Sequence, residues 1–438
     1  MNLMWSWNSL FIIVLLILLF HFSLGLKICY AIGIASTIGF FISGDTSGLQ
    51  VIGRAAWKSV NSFDISAVPL FIFMGEIVVH CDLSKRFYRG ASTWFSRLPG
   101  GFIQTSLFSC AVFAAISGSS VATAAAIGSV AFKELDDRGY SKELNLGSLA
   151  AGGALGLLIP PSTTFLIYGA ITGTSVARLF LAGLIPGIIT TIVFMLYITL
   201  RVVKNPSLAP PRPPKCSVRQ KAHGMLDMVP FISLMVMILV SIYCGWATPT
   251  EAAAFSVMAA FIFSLIYREL TVSRIIDSAI STIRSTTMIF FIMISAQVFT
   301  SLLTLSGISR GLMKWFTESG FTSIQLFLGV CIIYLIVGCL MDGTSVLYLT
   351  LPLLFPLSQT QGWDPIWFGV IVCIMVCVGM ITPPVGLNLF VIQGITEGRA
   401  TFKQTCKGAL PFVFAYLLMV IVVYFFPILA TWLPSKMI

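Results

Sequence analysis

Long apolar runs dominate the chain. Ten of them are long enough for an α-helix that crosses the hydrocarbon core of a bilayer, which needs about 17–25 residues. They fall at 8–24, 26–43, 65–83, 147–172, 178–202, 226–244, 250–267, 286–305, 365–395 and 408–428. Short polar loops separate most of these runs. The pattern predicts an all-α polytopic membrane protein.

Two further apolar stretches, 102–133 and 322–358, are interrupted near their middle. The interruptions are 117–120 (Ser-Gly-Ser-Ser) and 342–345 (Asp-Gly-Thr-Ser). Each stretch is too long for one span and too broken for two. We therefore predict two re-entrant hairpins, each a pair of half-helices whose tip stops inside the protein.

The two halves of the chain carry matching motifs. Residues 117–121 (SGSSV) correspond to 342–346 (DGTSV), and 155–161 (LGLLIPP) correspond to 378–384 (VGMITPP). The offset is 223 to 225 residues, and two further blocks keep it. Five full spans separate equivalent points, so the halves should face opposite sides of the membrane. This predicts two inverted repeats, each of about five transmembrane helices and one hairpin, in an elevator-type fold like that of ion transporters.

A proline-rich, basic linker at 203–224 separates the predicted repeats. The first repeat, 1–202, would comprise scaffold helices within 1–100, the hairpin 102–133 and a broken helix at 147–172. The second repeat, 225–438, would comprise scaffold helices within 226–305, the hairpin 322–358 and a broken helix at 365–395.

Composition and charge agree with a membrane protein. Apolar residues make up 57% of the 438 positions and charged residues only 10%, whereas a soluble domain has about 25% charged residues. Most of the basic loop residues behind the formal net charge of +10 lie on one predicted membrane face, which is typical of the cytoplasmic side, and Arg310 and Lys314 are exceptions on the other face. Both termini should then lie on the outer side. No basic face remains for nucleic acid, which is excluded as a partner.

Two basic segments, 84–98 and 272–285, combine aromatic or aliphatic residues with Arg and Lys. Helices that lie along a membrane surface have this composition. An ordinary loop is the alternative for each segment.

Each half contains a Pro-Pro pair inside an apolar segment. Proline has no N–H, so the carbonyl four residues earlier loses its helical partner. The carbonyls affected are those of Gly156, Leu157, Gly379 and Met380. Together with the hydroxyls of the hairpin tips, they offer neutral oxygen ligands that suit a dehydrated sodium ion, and two equivalent places predict two sodium sites. A helix kink packed against a small-residue turn is the alternative.

The N-termini of the half-helices attract anions through their free N–H groups. The side chains predicted to bind a carboxylate or hydroxylated substrate there are Ser120, Ser162, Thr163, Thr164, Ser345 and Asn388. No Arg or Lys lies in the core of these segments, so sodium and helix ends must supply the positive potential. Asp342 is predicted to be a cation ligand or a cap at its hairpin tip, and a plain turn-forming residue is the alternative. Glu76, inside a span, is either functional or an ordinary hydrogen-bond partner.

Catalytic chemistry has few candidates in this chain. The three histidines form no HExxH motif, and the ten cysteines form no CxxC pair. A buried thiol usually packs as a small hydrophobic group. We therefore predict that the protein is not an enzyme.

Four motifs together resemble a known family. Residues 115–123, 155–169, 341–345 and 381–388 are similar to the large membrane subunit of tripartite ATP-independent periplasmic (TRAP) transporters, and the resemblance runs over essentially the whole chain. It implies a bacterial inner-membrane protein, so the outer side on which both termini are predicted to lie would be the periplasm. It also implies two partners, a periplasmic substrate-binding protein and a small four-helix membrane subunit.

The resemblance further implies sodium-driven import of a small organic anion by an elevator movement. Carried onto this chain, one sodium site comprises Ser117, Ser119, Gly156, Ile159 and Pro161. By the repeat, the other comprises Gly343, Thr344, Gly379, Thr382 and Pro384. The alternative is a sodium-coupled carboxylate symporter or antiporter of related fold that needs no binding protein.

Overall fold

The computed structural model describes residues 6–43, 48–61 and 63–437, which fold almost wholly into α-helices. The predicted outer positions of residues 1–5 and 438 lie outside the described residues. Before the linker the helices are α1 (Trp7–Ser23), α2 (Ile28–Ser43), α3 (Gly48–Val60), α4 (Ala67–His80), α5 (Leu83–Phe95), α6 (Gly101–Ser117), α7 (Ser120–Asp137), α8 (Lys142–Ala154), α9 (Thr163–Thr172) and α10 (Val176–Lys204).

After the linker the chain forms a second series of helices. They are α11 (Val218–Tyr243), α12 (Pro249–Ile266), α13 (Val272–Leu305), α14 (Ile308–Glu318), α15 (Ser323–Gly338), α16 (Gly343–Thr360), α17 (Pro365–Met380), α18 (Leu387–Ile395), α19 (Phe402–Phe425) and α20 (Ile428–Ser435). Side-chain caps fix several starts. Thr248 and Glu251 form a capping box at α12, with Pro249 in the first turn, where its missing N–H costs nothing.

Two hairpins and two broken helices lie at the interruptions seen in the sequence. Helices α6 and α7 form the first hairpin and α15 and α16 the second. Helices α8 and α9 are separated by a 3-10 turn at Leu155–Leu157 and the first Pro-Pro pair, and α17 and α18 by the second. Glycine, proline and serine break these helices because they free the backbone or compete for its hydrogen bonds.

Equivalent helices of the two halves make matching contacts with the opposite half. The second arm of each hairpin contacts the second piece of the broken helix from the other half, α7 against α18 and α16 against α9. Likewise α8 packs on α19, and α17 packs on α10. These helices share one large apolar core. We call this group, α6–α10 with α15–α19, the central body.

A second group of helices surrounds one side of the central body. In it α2 packs on α13, α4 on α12 and α13, and α5 on α11. Helices α1, α2, α13 and α14 also share a smaller apolar cluster of their own. We call α1–α5 with α11–α14 the scaffold.

Among the described residues, five helices are by themselves long and apolar enough to cross a membrane: α10, α11, α12, α13 and α19. The bent pair α4 and α5 meets the test together, with 71° between its two parts. The all-α polytopic prediction is confirmed.

The separation of 272–285 from the span 286–305 was wrong, because both belong to the continuous 34-residue helix α13. The polar first half of α13 contains no Gly or Pro, so the helix continues through it.

Candidate functional site

The first hairpin tip is a two-residue turn between α6 and α7. Gly118 has φ of +58°, and a Cβ there would lie 2.9 Å from the carbonyl oxygen of Pro161, so only glycine fits. The Ser119 hydroxyl accepts a hydrogen bond from the Ala122 N–H at 3.3 Å and caps α7. The Thr163 hydroxyl donates to the Gly118 carbonyl at 2.8 Å, which joins the tip to the start of α9.

Neutral oxygens converge behind this tip. The Ser117 and Thr123 hydroxyl oxygens are 2.7 Å apart, and Thr123 donates to the Ser119 carbonyl at 2.7 Å. Gly156 of the broken helix abuts that carbonyl, since a Cβ on it would lie 2.9 Å from the oxygen. Within the described chain no hydrogen bond reaches the Gly156 carbonyl itself. Uncharged oxygens in such a cluster suit a monovalent cation.

At the break between α8 and α9, a neighbouring side chain bonds one of the carbonyls that were predicted to be free. Pro161 removes the helical partner of the Leu157 carbonyl, but the Ser162 hydroxyl donates to that oxygen at 2.5 Å. The same hydroxyl accepts from the Thr164 N–H at 3.2 Å and caps α9. The prediction of a free carbonyl was therefore wrong for Leu157. Ile159, assigned to the first sodium site, is buried against Gly187.

The second tip and its break are joined through backbone contacts. The Gly386 N–H donates to the Cys339 carbonyl at 2.9 Å, and a Cβ on Gly379 would meet the Gly338 backbone at 2.5 Å. The Gly379 carbonyl, predicted to be free, accepts from the Thr382 N–H at 3.1 Å, so this prediction was wrong. A tight turn of the last residues of α17 replaces the lost helical bond.

Asp342 lies at the start of the second hairpin arm. Its carboxylate accepts from the Ser345 N–H at 3.2 Å and from the Ser345 hydroxyl, and thereby caps α16. Gly343 packs closely on Val376, and Pro384 is exposed. The first Pro-Pro pair, by contrast, is buried, so the two breaks have different surroundings in this structure.

Two predicted substrate ligands bond to each other across the halves. The Ser120 hydroxyl donates to the Asn388 side-chain oxygen at 2.8 Å, and the Asn388 amide donates to the Ala150 carbonyl at 3.0 Å. Both side chains are buried. The structure thus places Ser120 and Asn388 inside the central body, where they connect α7 to α18 and α8.

Substituting Asn388 by alanine is expected to lower the melting temperature of the purified protein. The Ser120 hydroxyl and the Ala150 carbonyl would both stay buried without their partner, at a cost of about 1–3 kcal/mol. Asn205→Ala, in the exposed linker, is the control and should melt like the parent protein. Equal melting of both variants would show that this link contributes nothing to stability.

A cavity of about 380 Å³ lies between the central body and the scaffold. Its walls include four of the predicted site residues together with one acidic residue of α4 and one hydroxyl of α13. These residues are Ser117, Ser119, Thr163, Thr344, Glu76 and Ser285. The cavity thus brings together both hairpin tips, one broken helix and the scaffold. Ser162, Thr164 and Ser345 are buried in caps beside it.

Glu76 is the single formally charged residue on the described wall of this cavity. Its carboxylate lies 3.4 Å from Nε2 of His80, one helical turn later, and the side chain is 21% exposed. The sequence left its role open. The sequence does not indicate Ser285 as a site residue, because it lies in the polar first part of α13, whose composition is typical of a surface helix.

A cavity lined by hydroxyls and one carboxylate between two packed groups of membrane helices, and flanked by helix breaks, is typical of a transporter. The chain is an α-helical membrane transporter. It belongs to the tripartite ATP-independent periplasmic transporters, as their DctM component: the family model matches residues 12–429. The resemblance seen in the sequence is confirmed, and the chain is the large permease subunit, a multi-pass inner-membrane protein.

Three relatives illustrate the similarity. The C4-dicarboxylate TRAP transporter large permease of Pseudomonas aeruginosa is 34% identical over 382 residues, covering 86% of this chain and 88% of that protein. The 2,3-diketo-L-gulonate large permease of Escherichia coli is 30% identical over 95% of this chain and 96% of its own length. The sialic acid TRAP permease of Haemophilus influenzae is 27% identical over 98% of this chain and 69% of its own. All are permeases rather than enzymes.

Two solved structures share the fold. The YdaH transporter of Alcanivorax borkumensis superposes with a TM-score of 0.61 at 14% identity, covering 88% of this chain and 87% of that one. MtrF of Neisseria gonorrhoeae gives 0.56 at 14% identity, covering 87% and 84%.

Proposed function

We propose that this permease imports a small organic anion, a carboxylate or related acid, driven by the sodium gradient. A periplasmic binding protein delivers the anion, and a small four-helix subunit stands beside the permease. The cavity between the hairpin tips and the scaffold is the observation that carries the proposal. Relatives named for C4-dicarboxylates, 2,3-diketo-L-gulonate and sialic acid support an acidic substrate.

The cavity needs cations before it holds an anion. No Lys or Arg belongs to its described wall, and Glu76 adds a negative charge. The favourable groups are the N-terminal ends of α7 and α9, with their positive dipole ends, and the neutral oxygens around Ser117 and Thr123. A sodium ion held by those oxygens would supply the missing positive charge. Binding of the anion would then depend on sodium.

An elevator movement accounts for the division into two groups of helices. The reciprocal contacts between halves hold the central body together, while α6 packs on α4, α5 and α11 of the scaffold and the cavity lies between the two groups beside these contacts. We propose that the central body carries the anion and sodium past a stationary scaffold. The inverted repeat supplies the two opposite end positions of this movement.

Sodium coupling is tested in proteoliposomes that contain this chain, its small subunit and the loaded binding protein. An inward sodium gradient should drive accumulation of the anion, since sodium provides the missing charge. Uptake should fall to background when potassium replaces sodium or when ATP is the only energy source. Equal uptake in potassium contradicts the proposal, and undiminished uptake without the binding protein would favour a stand-alone symporter or antiporter.

A further inference from the structure

An apolar crevice of about 720 Å³ separates α1 of the scaffold from the second hairpin. Its walls come from α1, the start of α2, α13 and both hairpin arms. Among the lining residues only Ser23 and Thr350 carry polar side chains. The Thr350 hydroxyl already donates to the Val346 carbonyl at 2.7 Å. The crevice therefore offers nothing to a polar ligand.

The crevice opens along the apolar surface of the protein. Leu15 and Leu19 on α1 are 44% and 53% exposed, and Ile336 and Leu340 on the hairpin are 57% and 53% exposed. Water gains no hydrogen bonds between such walls, and apolar cavities stay dry. If the gap were empty, the side chains that line it would lose dispersion contacts. In a bilayer, the hydrocarbon chains of lipids are available to fill it.

The size of the crevice distinguishes a lipid chain from a protein helix. A helix with its side chains is about 10–12 Å across. Such a helix would fit the crevice with only part of its width and would leave the rest outside. A flexible acyl chain needs only a narrow path between side chains.

One end of the crevice carries a positive charge. Residues Ser23, Gly25, Leu26 and Ile28 line this end, and the exposed Lys27 lies within the same loop. Lys27 is the single residue with a permanent charge in 6–43. Lysine beside a membrane surface attracts the phosphate of lipid headgroups.

We propose that a phospholipid binds here, with one acyl chain in the crevice along α1 and its phosphate beside Lys27. The lipid fills the gap between a scaffold helix and a hairpin of the central body. The acyl chain gives α1 and the second hairpin a mobile contact, whereas direct side-chain packing would fix them to each other. The site is independent of the identity of the transported anion.

The test compares two neighbouring substitutions in the full-length chain, co-purified with its small subunit in a mild detergent. Leu15→Trp fills the crevice, whereas Leu16→Trp adds the same bulk at a neighbouring exposed position outside its lining. Native mass spectrometry should find one phospholipid fewer on Leu15→Trp and no loss on Leu16→Trp. Equal lipid numbers on both variants, whether retained or lost, would overturn the proposal.

A second variant leaves the packing untouched. Lys27→Gln removes the headgroup charge at an exposed position, so the fold should be unaffected. The preference of the bound lipid for anionic over zwitterionic headgroups should fall about fivefold, the effect of one lysine near a membrane surface. Titration with phosphatidylglycerol and phosphatidylcholine, read by native mass spectrometry, measures this ratio. An unchanged ratio contradicts the placement of the phosphate.

Discussion

Thr344→Ala and Ser119→Ala are each expected to raise the sodium concentration for half-maximal uptake by about five- to a hundredfold. Each substitution removes one neutral oxygen from the wall of the cavity. Losing such a ligand costs about 1–3 kcal/mol, and 1.4 kcal/mol corresponds to a factor of ten. Initial uptake rates measured over a range of sodium concentrations in proteoliposomes give the result directly.

The two substitutions differ in what else they disturb. The Ser119 hydroxyl also caps α7, so its loss removes up to about 2 kcal/mol of helix stability. Thr344 forms no side-chain hydrogen bond within the described chain, which makes it the cleaner probe of ion binding. Ser129→Ala, on the exposed face of the same hairpin as Ser119, is the control and should keep the parental sodium dependence. If both site variants kept the sodium dependence of the parent protein, the hairpin tips would be structural turns and not ion ligands.

The breaks in the helices could be located from sequence because their causes are local. Pro-Pro pairs and the Ser-Gly and Asp-Gly tips stop a helix whatever surrounds them. The positions of helix starts, the repeat and the family resemblance together predict Ser117, Ser119, Thr163 and Thr344 as site residues, and the structure gathers these four around one cavity.

The contacts between distant segments could not be located in this way. The sequence predicts Ser120 and Asn388 as substrate ligands because each lies at the start of a half-helix, but it does not reveal that the Ser120 hydroxyl bonds Asn388 across 268 positions of sequence. Two of the four carbonyls predicted to be free, those of Leu157 and Gly379, are bonded for a similar reason. A proline removes one donor, but the nearest turn or hydroxyl, such as Ser162 at Leu157, can replace it. In the second half Val385 occupies the position that corresponds to Ser162, so the repeat does not preserve this bond.

The central body is held together by close helix packing more than by charge. Ion pairs do cross between the halves, from Arg399 to Asp137 at 3.0 Å and from Lys407 to Glu143 at 3.0 Å. All four side chains are at least 38% exposed, and exposed pairs contribute only about 0–1 kcal/mol each. The second ion pair lies next to the contact between α8 and α19. The glycines of that contact therefore contribute more to stability than the ion pairs do.

Gly408→Ala is expected to destabilise the protein by about 3 kcal/mol, the upper end of the usual cost of overpacking, seen as a lower melting temperature and a smaller yield of monodisperse protein. A Cβ on Gly408 would lie 1.9 Å from the Glu143 carbonyl oxygen, and one on Gly147 would lie 2.0 Å from the Gly408 carbonyl oxygen. Backbone cannot move aside as a side chain can, so α8 and α19 would have to separate. Gly394→Ala, in α18 with nothing within 4 Å of its added Cβ, is the matched control. There the exchange should be neutral or stabilising by up to about 1 kcal/mol, because alanine favours a helix over glycine. If both variants melted alike, α8 and α19 would be packed less closely than described, and the two halves of the central body would need another connection.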